Sequence, residues 1–220
     1  MGIAIAAVLL LGTVATVVGA APWQRGWGRH GPWPGRFGPG MGYMMDGYGS
    51  SQGGQPLSIE EAARAVDAYL ASMGSPDLAI TEVMEFDYNF YAEIEEKSTG
   101  IHAFELLVGK DTGRVYPEPG PNMMWNTKYG HHWGMMGRFS PSYSGTMSVS
   151  EDEARAYAQR YLDRYLPGTT VGEADAFYGY YTLHTIKEGQ VMGMLSVNGY
   201  TGQVWYHGWH GAFVRMLELE

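Results

Sequence analysis

The sequence predicts an α+β fold: two tandem units, each a helix followed by an antiparallel sheet, behind an N-terminal apolar helix and a disordered Gly/Pro-rich arm. Three observations carry this prediction. Capping boxes open two amphipathic segments; beyond each, the apolar residues change from helical to alternating spacing; and each alternating run closes on a Thr-Gly turn.

Residues 1–20 are uncharged and almost wholly apolar, which reads as an export segment, either a signal peptide cut after Ala20 or an uncleaved membrane anchor. The small residues Val18 and Ala20 suit a peptidase cut at that point. Either alternative places the bulk of the chain outside the cytoplasm, in the periplasm or at the cell surface. Any contact with the membrane is then through this segment alone, if it stays on. Residues 21–56 hold 16 Gly or Pro among 36, with Trp23, Trp27, Trp33, Phe37, Tyr43 and Tyr48 scattered through them, and cannot bury enough surface to fold alone.

The first unit spans 57–116. Ser58 and Glu61 form its capping box, and Ile59, Ala62, Ala63, Val66, Tyr69, Leu70 and Met73 recur on one helical face until Gly74-Ser75-Pro76 stops the helix. Tyr88, Phe90, Ala92 and Ile94, then Phe104, Leu106 and Val108, alternate with polar neighbours as half-buried strands. The second unit, 147–220, repeats the pattern. Ser150 and Glu153 cap a helix carrying Ala154, Tyr157, Ala158, Tyr161, Leu162, Tyr165 and Leu166, which ends at Pro167-Gly168. Strands follow through Phe177, Tyr181 and Leu183, and through Val191, Leu195 and Val197. The closing turns Asp111-Thr112-Gly113 and Tyr200-Thr201-Gly202 also correspond. Residues 117–146 join the units as a Met/His-rich linker, and a Trp/His extension, Trp205 to Gly211, follows the last turn.

The runs Val108-Gly109-Lys110-Asp111-Thr112-Gly113-Arg114-Val115 and Val197-Asn198-Gly199-Tyr200-Thr201-Gly202-Gln203-Val204, each behind a capped helix, resemble the signature of the PepSY domain family. The resemblance covers roughly 57–116 and 147–206. It implies a non-enzymatic inhibitory or regulatory module, of the kind found in propeptides of thermolysin-like metallopeptidases and in extracytoplasmic bacterial proteins, with a protein or peptide partner in the cell envelope. The Trp/His extension departs from the generic pattern, so a particular peptidase is not implied.

Composition narrows the chemistry. The chain has 14 Lys and Arg against 23 Asp and Glu, a net charge of −9, which argues against a nucleic-acid partner. With no cysteine, thiol nucleophiles, disulfides, iron–sulfur clusters and thiolate zinc sites are excluded. No H-E-x-x-H, P-loop, G-x-S-x-G or dinucleotide fingerprint is present. No cofactor is assured; copper is the candidate. Met123, Met124, His131, His132, Met135 and Met136 offer thioether and imidazole donors in the linker, set against a reading in which Met and Trp simply pack it. His207 and His210 are spaced to share one metal, or to flank a turn in which Trp205 and Trp209 pack. His102 reads as an edge or core residue, His184 and His30 receive no role, and Glu93, Glu95 and Glu96 read as solvated strand residues rather than a carboxylate hydrolase site.

Overall fold

A computed structural model describes residues 56–130 and 146–219. The apolar segment 1–20, nearly all of the arm, and His131, His132, Met135 and Met136 lie outside the described residues. No helix among the described residues is long and apolar enough to cross a membrane.

The molecule is mixed α+β, built on one large, mainly antiparallel sheet. Helix α1 (Ile59–Met73) opens on the predicted box, with Glu61 N–H donating to Ser58 Oγ at 3.2 Å and Ser58 N–H to Glu61 Oε2 at 2.8 Å. It buries Ile59, Ala62, Ala63, Val66 and Leu70, the stripe the spacing predicts. Strands β1 (Leu78–Phe86), β2 (Asn89–Glu96), β3 (Ile101–Gly109) and the short β4 (Val115–Pro117) follow as an antiparallel meander. After a one-turn helix α2 (Pro121–Met124), the same order recurs: α3 (Glu151–Tyr165), capped by Ser150 and Glu153, then β5 (Thr170–Phe177), β6 (Tyr180–Lys187), β7 (Gln190–Asn198) and β8 (Val204–Tyr206).

Three features differ from expectation. A full strand, β1, precedes the meander of about three strands anticipated in the first half, and in the second half Tyr178-Gly179 divides Phe177 from Tyr181, so each meander has three long strands and a short fourth. The two meanders are not separate sheets: a single parallel pair, His102 with Phe177, joins β3 to β5 in the order β8-β7-β6-β5-β3-β2-β1-β9. And β9 (Phe213–Glu218), from the C-terminal extension, crosses back to pair antiparallel with β1. That edge of β1 is covered by β9.

Both long helices pack on one face of the sheet, α1 over Ile80, Phe90, Ile94, Phe104 and Leu106, and α3 over Tyr181, Leu183, Leu195 and Val197. The opposite face turns inward. There Met84, Phe86, Tyr91 and Leu107 of the first half meet Met194 of the second, and β7 touches β9 although they lie near opposite ends of the strand order. The sheet therefore curls over its own helix-free face. Helix α2 and the Trp/His extension line this interior, Trp125 packing with Phe177 and Tyr180 and Trp209 against the Met84 cluster. The interior is strongly polar: Glu82, Glu93, Glu105, Glu118, His184, His207 and His210 are all buried in it.

Candidate metal centre

The recurring order of elements places two of the central residues. In the first half Leu106 pairs with Pro117, and in the second Leu195 pairs with Tyr206. The next residues, Glu118 and His207, thus occupy equivalent positions, each donating its backbone N–H at 3.0 Å to the facing strand, to Glu105 O and Met194 O respectively. Because the two halves face each other across the curled sheet, Glu118 and His207 meet. A short turn through Gly208 and Trp209 then brings in His210.

The three side chains converge on one point with no access to solvent. Glu118 Oε1 lies 3.3 Å from His207 Nδ1 and 2.9 Å from His210 Nε2, with side-chain exposures of 0%, 0% and 1%. Neither ring nitrogen is aligned for a hydrogen bond there, and among the described residues Glu118 Oε2, His207 Nδ1 and His210 Nε2 have no hydrogen-bond partner. Buried polar atoms of native proteins are nearly always satisfied, so three orphans at one point call for an explanation.

The surroundings hold these donors in place. Trp209 Nε1–H donates to Glu118 Oε1 at 3.0 Å, its ring stacks on His207 at a centroid distance of 4.7 Å, and Phe86 stacks on His210 at 4.5 Å. The outer nitrogen of each imidazole is occupied: His210 Nδ1 lies 2.8 Å from Asn89 Oδ1, and His207 Nε2 2.9 Å from Ser196 Oγ. Asn89 Nδ2 donates to Trp209 O, which orients its oxygen toward His210. An acceptor at Nδ1 fixes the neutral His210 as the Nδ1–H tautomer, so its Nε2 lone pair faces the carboxylate. Burial would raise the Glu118 pKa, but His207 and His210 outweigh it and hold the group at about 2, an anion at any physiological pH. Burial in turn lowers the His210 pKa, against the pull of Glu118. A carboxylate buried among two imidazoles needs a positive partner there, either a proton on a ring nitrogen or a metal ion. Two imidazoles and a carboxylate, each outer nitrogen tied to an oxygen, are a set of donors that could hold a divalent transition-metal ion.

A hydrogen-bonded chain leads inward from His207. Ser196 Oγ lies 3.0 Å from Thr182 Oγ1, which lies 2.7 Å from Glu105 Oε1. Glu105 also accepts from Tyr91 and Tyr180, and Tyr91 O–H reaches Glu93 as well. Beyond Glu93 the His102 ring stands between two carboxylates, Nδ1 3.5 Å from Glu93 Oε2 and Nε2 3.6 Å from Asp175 Oδ1. His184 faces Glu82 at 3.5 Å. Burial raises Asp175 to about 7 and drives Glu93 well above the usual carboxylate range, with neighbouring acids adding to both.

The structure corrects two expectations here. Glu93 and Glu96 are not solvated: each is only 3% exposed. Glu93 belongs to the interior network, and Glu96 holds Lys128, Tyr129 and Tyr178, fastening the segment after α2 to β2. Of the predicted donors, His207 and His210 do converge, and Trp209 packs beside them, with neither imidazole pointing to solvent. Met124 instead packs with Trp125, Phe177, Tyr180 and Trp205, while Met123 is buried in α2. Glu118 was absent from the predicted set. Its signal lay in the duplication, which aligns Pro117-Glu118 with Tyr206-His207.

No family model matches the chain, and no curated protein does. Among solved structures the chain is similar to the Bacillus megaterium YpeB C-terminal domain, at 12% identity and a TM-score of 0.26, over 69% of this chain and 62% of that one. The likeness is distant, and this chain spans less than two thirds of that domain's length.

Proposed function

We propose that this protein is a non-enzymatic binding module of the cell envelope, PepSY-like in organisation, that holds one divalent transition-metal ion between its two halves. One observation carries the reading: His210 Nε2 at 2.9 Å and His207 Nδ1 at 3.3 Å converge on the fully buried Glu118 Oε1, and neither nitrogen has a hydrogen-bond partner among the described residues. Imidazole and carboxylate suit zinc, nickel or Cu(II), whereas Cu(I) prefers thioether and thiolate. The copper reading built on the linker methionines draws no support from Met124, whose contacts are those of an apolar filler. Complete burial favours a held ion over a catalytic one, since a catalytic zinc keeps an open position for water or substrate.

Equilibrium dialysis with Zn²⁺ against metal-stripped protein tests this. One zinc per chain is expected, with Co²⁺ giving the d–d absorption of a four-coordinate site. Replacing Glu118, His207 or His210 by Ala should weaken binding beyond the about 10–100-fold typical of outer-shell changes. Replacing Met123 and Met124 by Leu should leave it unchanged. Absence of zinc, nickel and Cu(II) binding overturns the proposal. Export, and a protein or peptide partner in the envelope, belong to the same reading; pull-downs from envelope extract with and without zinc test the partner.

A further inference from the structure

Three strands of the sheet break their register to bring a second group of donors to the helix-free face. Strict alternation would place Glu82 with Ile80, His102 with Phe104 and Asp175 with Val171, all of which pack toward the helices. The register shifts between the members of each pair: between Ile80 and Glu82 in β1, at Ala103 in β3, which is left over between His102 and Phe104, and between Val171 and Ala174 in β5. Each shift turns the residue beyond it to the opposite face, as a β-bulge does when it re-aims a side chain. Glu93, directly across from Glu82 in the β1–β2 register, lies on that face as well.

These residues converge around the His102 ring. Nδ1 stands 3.5 Å from Glu93 Oε2 and Nε2 3.6 Å from Asp175 Oδ1, and one donor atom from each of the three residues lies within 4.8 Å of the others. Both gaps exceed a charge-assisted hydrogen bond, about 2.7–2.9 Å. They suit donors that share an ion, since ligands about 2.1 Å from a tetrahedral centre stand about 3.4 Å apart. His102 Nδ1 is buried without a hydrogen-bond partner among the described residues. So is Oε1 of Glu82, a residue 8% exposed whose negative charge acts on both Glu93 and Asp175, with His184 Nε2 3.5 Å away. No lysine or arginine is buried among the described residues, and the ion pairs of these side chains go to Glu85, Glu96 and Glu151.

We propose that Glu93, His102 and Asp175 form a second divalent-cation site at the joint between the two halves. Glu93 and His102 come from the first half and Asp175 from the second, two residues from the parallel pair, His102 with Phe177, that makes the meanders one sheet. An ion there ties the halves together where their strands meet. One imidazole nitrogen binds the ion and the other faces a carboxylate, the outer partner that metal-binding histidines use. Two carboxylates and one imidazole are a harder donor set than Glu118, His207 and His210, and favour Mn²⁺ or Fe²⁺. The His102 and Asp175 side chains are 15% and 14% exposed, which gives an ion a way in that the closed Glu118 cluster lacks. The two sites share no ligand, so this one stands without the other.

Titration with Mn²⁺, followed by electron paramagnetic resonance, counts bound ions through loss of the six-line signal of the free ion. Protein first loaded with one equivalent of Zn²⁺ should take up one Mn²⁺ per chain, and so should E118A. H102A and D175N should each weaken this uptake more than about tenfold. Pulsed measurements should detect one directly bound imidazole nitrogen in the wild type and none in H102A. D175N keeps the size of the side chain and serves if H102A fails to fold. Uptake that H102A and D175N leave unaltered, uptake that E118A abolishes, or no uptake by the zinc-loaded wild type overturns the second site. Protein that takes up Mn²⁺ in this way but binds no zinc removes the Glu118 site and leaves this one standing.

Discussion

Gly202 and Gly113 occupy equivalent turns, each N–H returning at 2.9 Å to a carbonyl four residues back, on Asn198 and Gly109, and each at a left-handed φ, +69° and +64°. Alanine at either position carries the left-handed penalty of about 1–2 kcal/mol. The neighbours differ. A Cβ on Gly202 would stand 2.8 Å from Tyr157 Cε2 and 2.9 Å from Cζ, on a ring packed between α3 and the sheet, whereas a Cβ on Gly113 would meet only Leu57 Cδ2 at 3.3 Å. Overpacking of the first kind adds about 1–3 kcal/mol. Gly202→Ala should therefore cost about 2–5 kcal/mol and Gly113→Ala about 1–2 kcal/mol. In a domain of this size, where each kcal/mol moves Tm by about 2–4 °C, the first should lower Tm by about 4–20 °C. Urea unfolding of both variants, and of Gly202→Ala on a Tyr157→Ala background, separates the terms, since removing the ring should recover the about 1–3 kcal/mol of clash and leave the φ strain. Zinc affinity should fall with Gly202→Ala as well, because this turn sets β8 against β7 and His207 is the next residue after β8. Equal costs at the two glycines, or no coupling to Tyr157, would refute the packing argument.

Three further outcomes follow from the same geometry. Zinc at a hundredfold excess over its Kd should add about 2.7 kcal/mol of stability, raising Tm by about 5–10 °C in a scanning measurement, and Glu118→Ala should abolish the shift. Burial pushes the Glu96 pKa up, but Lys128, Tyr129, Tyr178 and Thr99 outweigh it and hold the group at about 2. A folded pKa below the ordinary value of 4.5 gives stability that is present above pH 4.5 and lost as pH falls toward 2. Urea midpoints between pH 5 and 3 should therefore fall more steeply for the wild type than for Glu96→Gln. Asp175 has the opposite sign: its pKa is raised by burial to about 7, so the folded state binds the extra proton between pH 3.8 and 7 and loses stability as pH rises through that window. Asp175→Asn should stabilise the protein at pH 8, by on the order of 2 kcal/mol, and much less at pH 4.

Local rules made much of this fold legible, and long-range pairing hid the rest. Both helices announce themselves through Ser-x-x-Glu boxes and apolar stripes, and β2, β3, β6 and β7 through alternation. Strand β1 escaped because its inward face carries Glu82 beside Met84 and Phe86, so that both faces are buried and the alternation of polarity that marks a half-solvated strand is lost. Strand β9 reads Phe-Val-Arg-Met-Leu-Glu, which does not alternate, and its partner is β1, some 130 residues earlier in the chain, as in the Glu85–Arg215 pair. Glu93 and Glu96 read as solvated because a sequence does not state that a sheet will curl over its own polar face. Glu118 sits in Pro117-Glu118-Pro119-Gly120, which looks like a turn and nothing more until the two halves are aligned.

That alignment accounts for the site's position as well as its discovery. In each half, the residue after the short fourth strand is held by one backbone bond to the third strand and points toward the interior, so two copies facing each other across a curled sheet bring two such residues together whatever their identity. Two identical acids there would repel, and two apolar residues would only pack. This chain instead places a carboxylate in one copy and an imidazole in the other, then adds His210 from an extension that the first copy lacks. The same divergence separates the outer partners: Glu105 and Met194 are equivalent by register, yet only Glu105 accepts from the buried hydroxyls of Tyr91, Tyr180 and Thr182. A symmetric seam has thus become a chemically asymmetric one, with a carboxylate and two imidazoles at its centre and a second carboxylate on one side. Replacing Glu105 by its counterpart, Glu105→Met, strips the buried hydroxyls of Tyr91, Tyr180 and Thr182 of their acceptor and should lower stability in urea unfolding by at least about 1–3 kcal/mol; an unchanged midpoint would refute this.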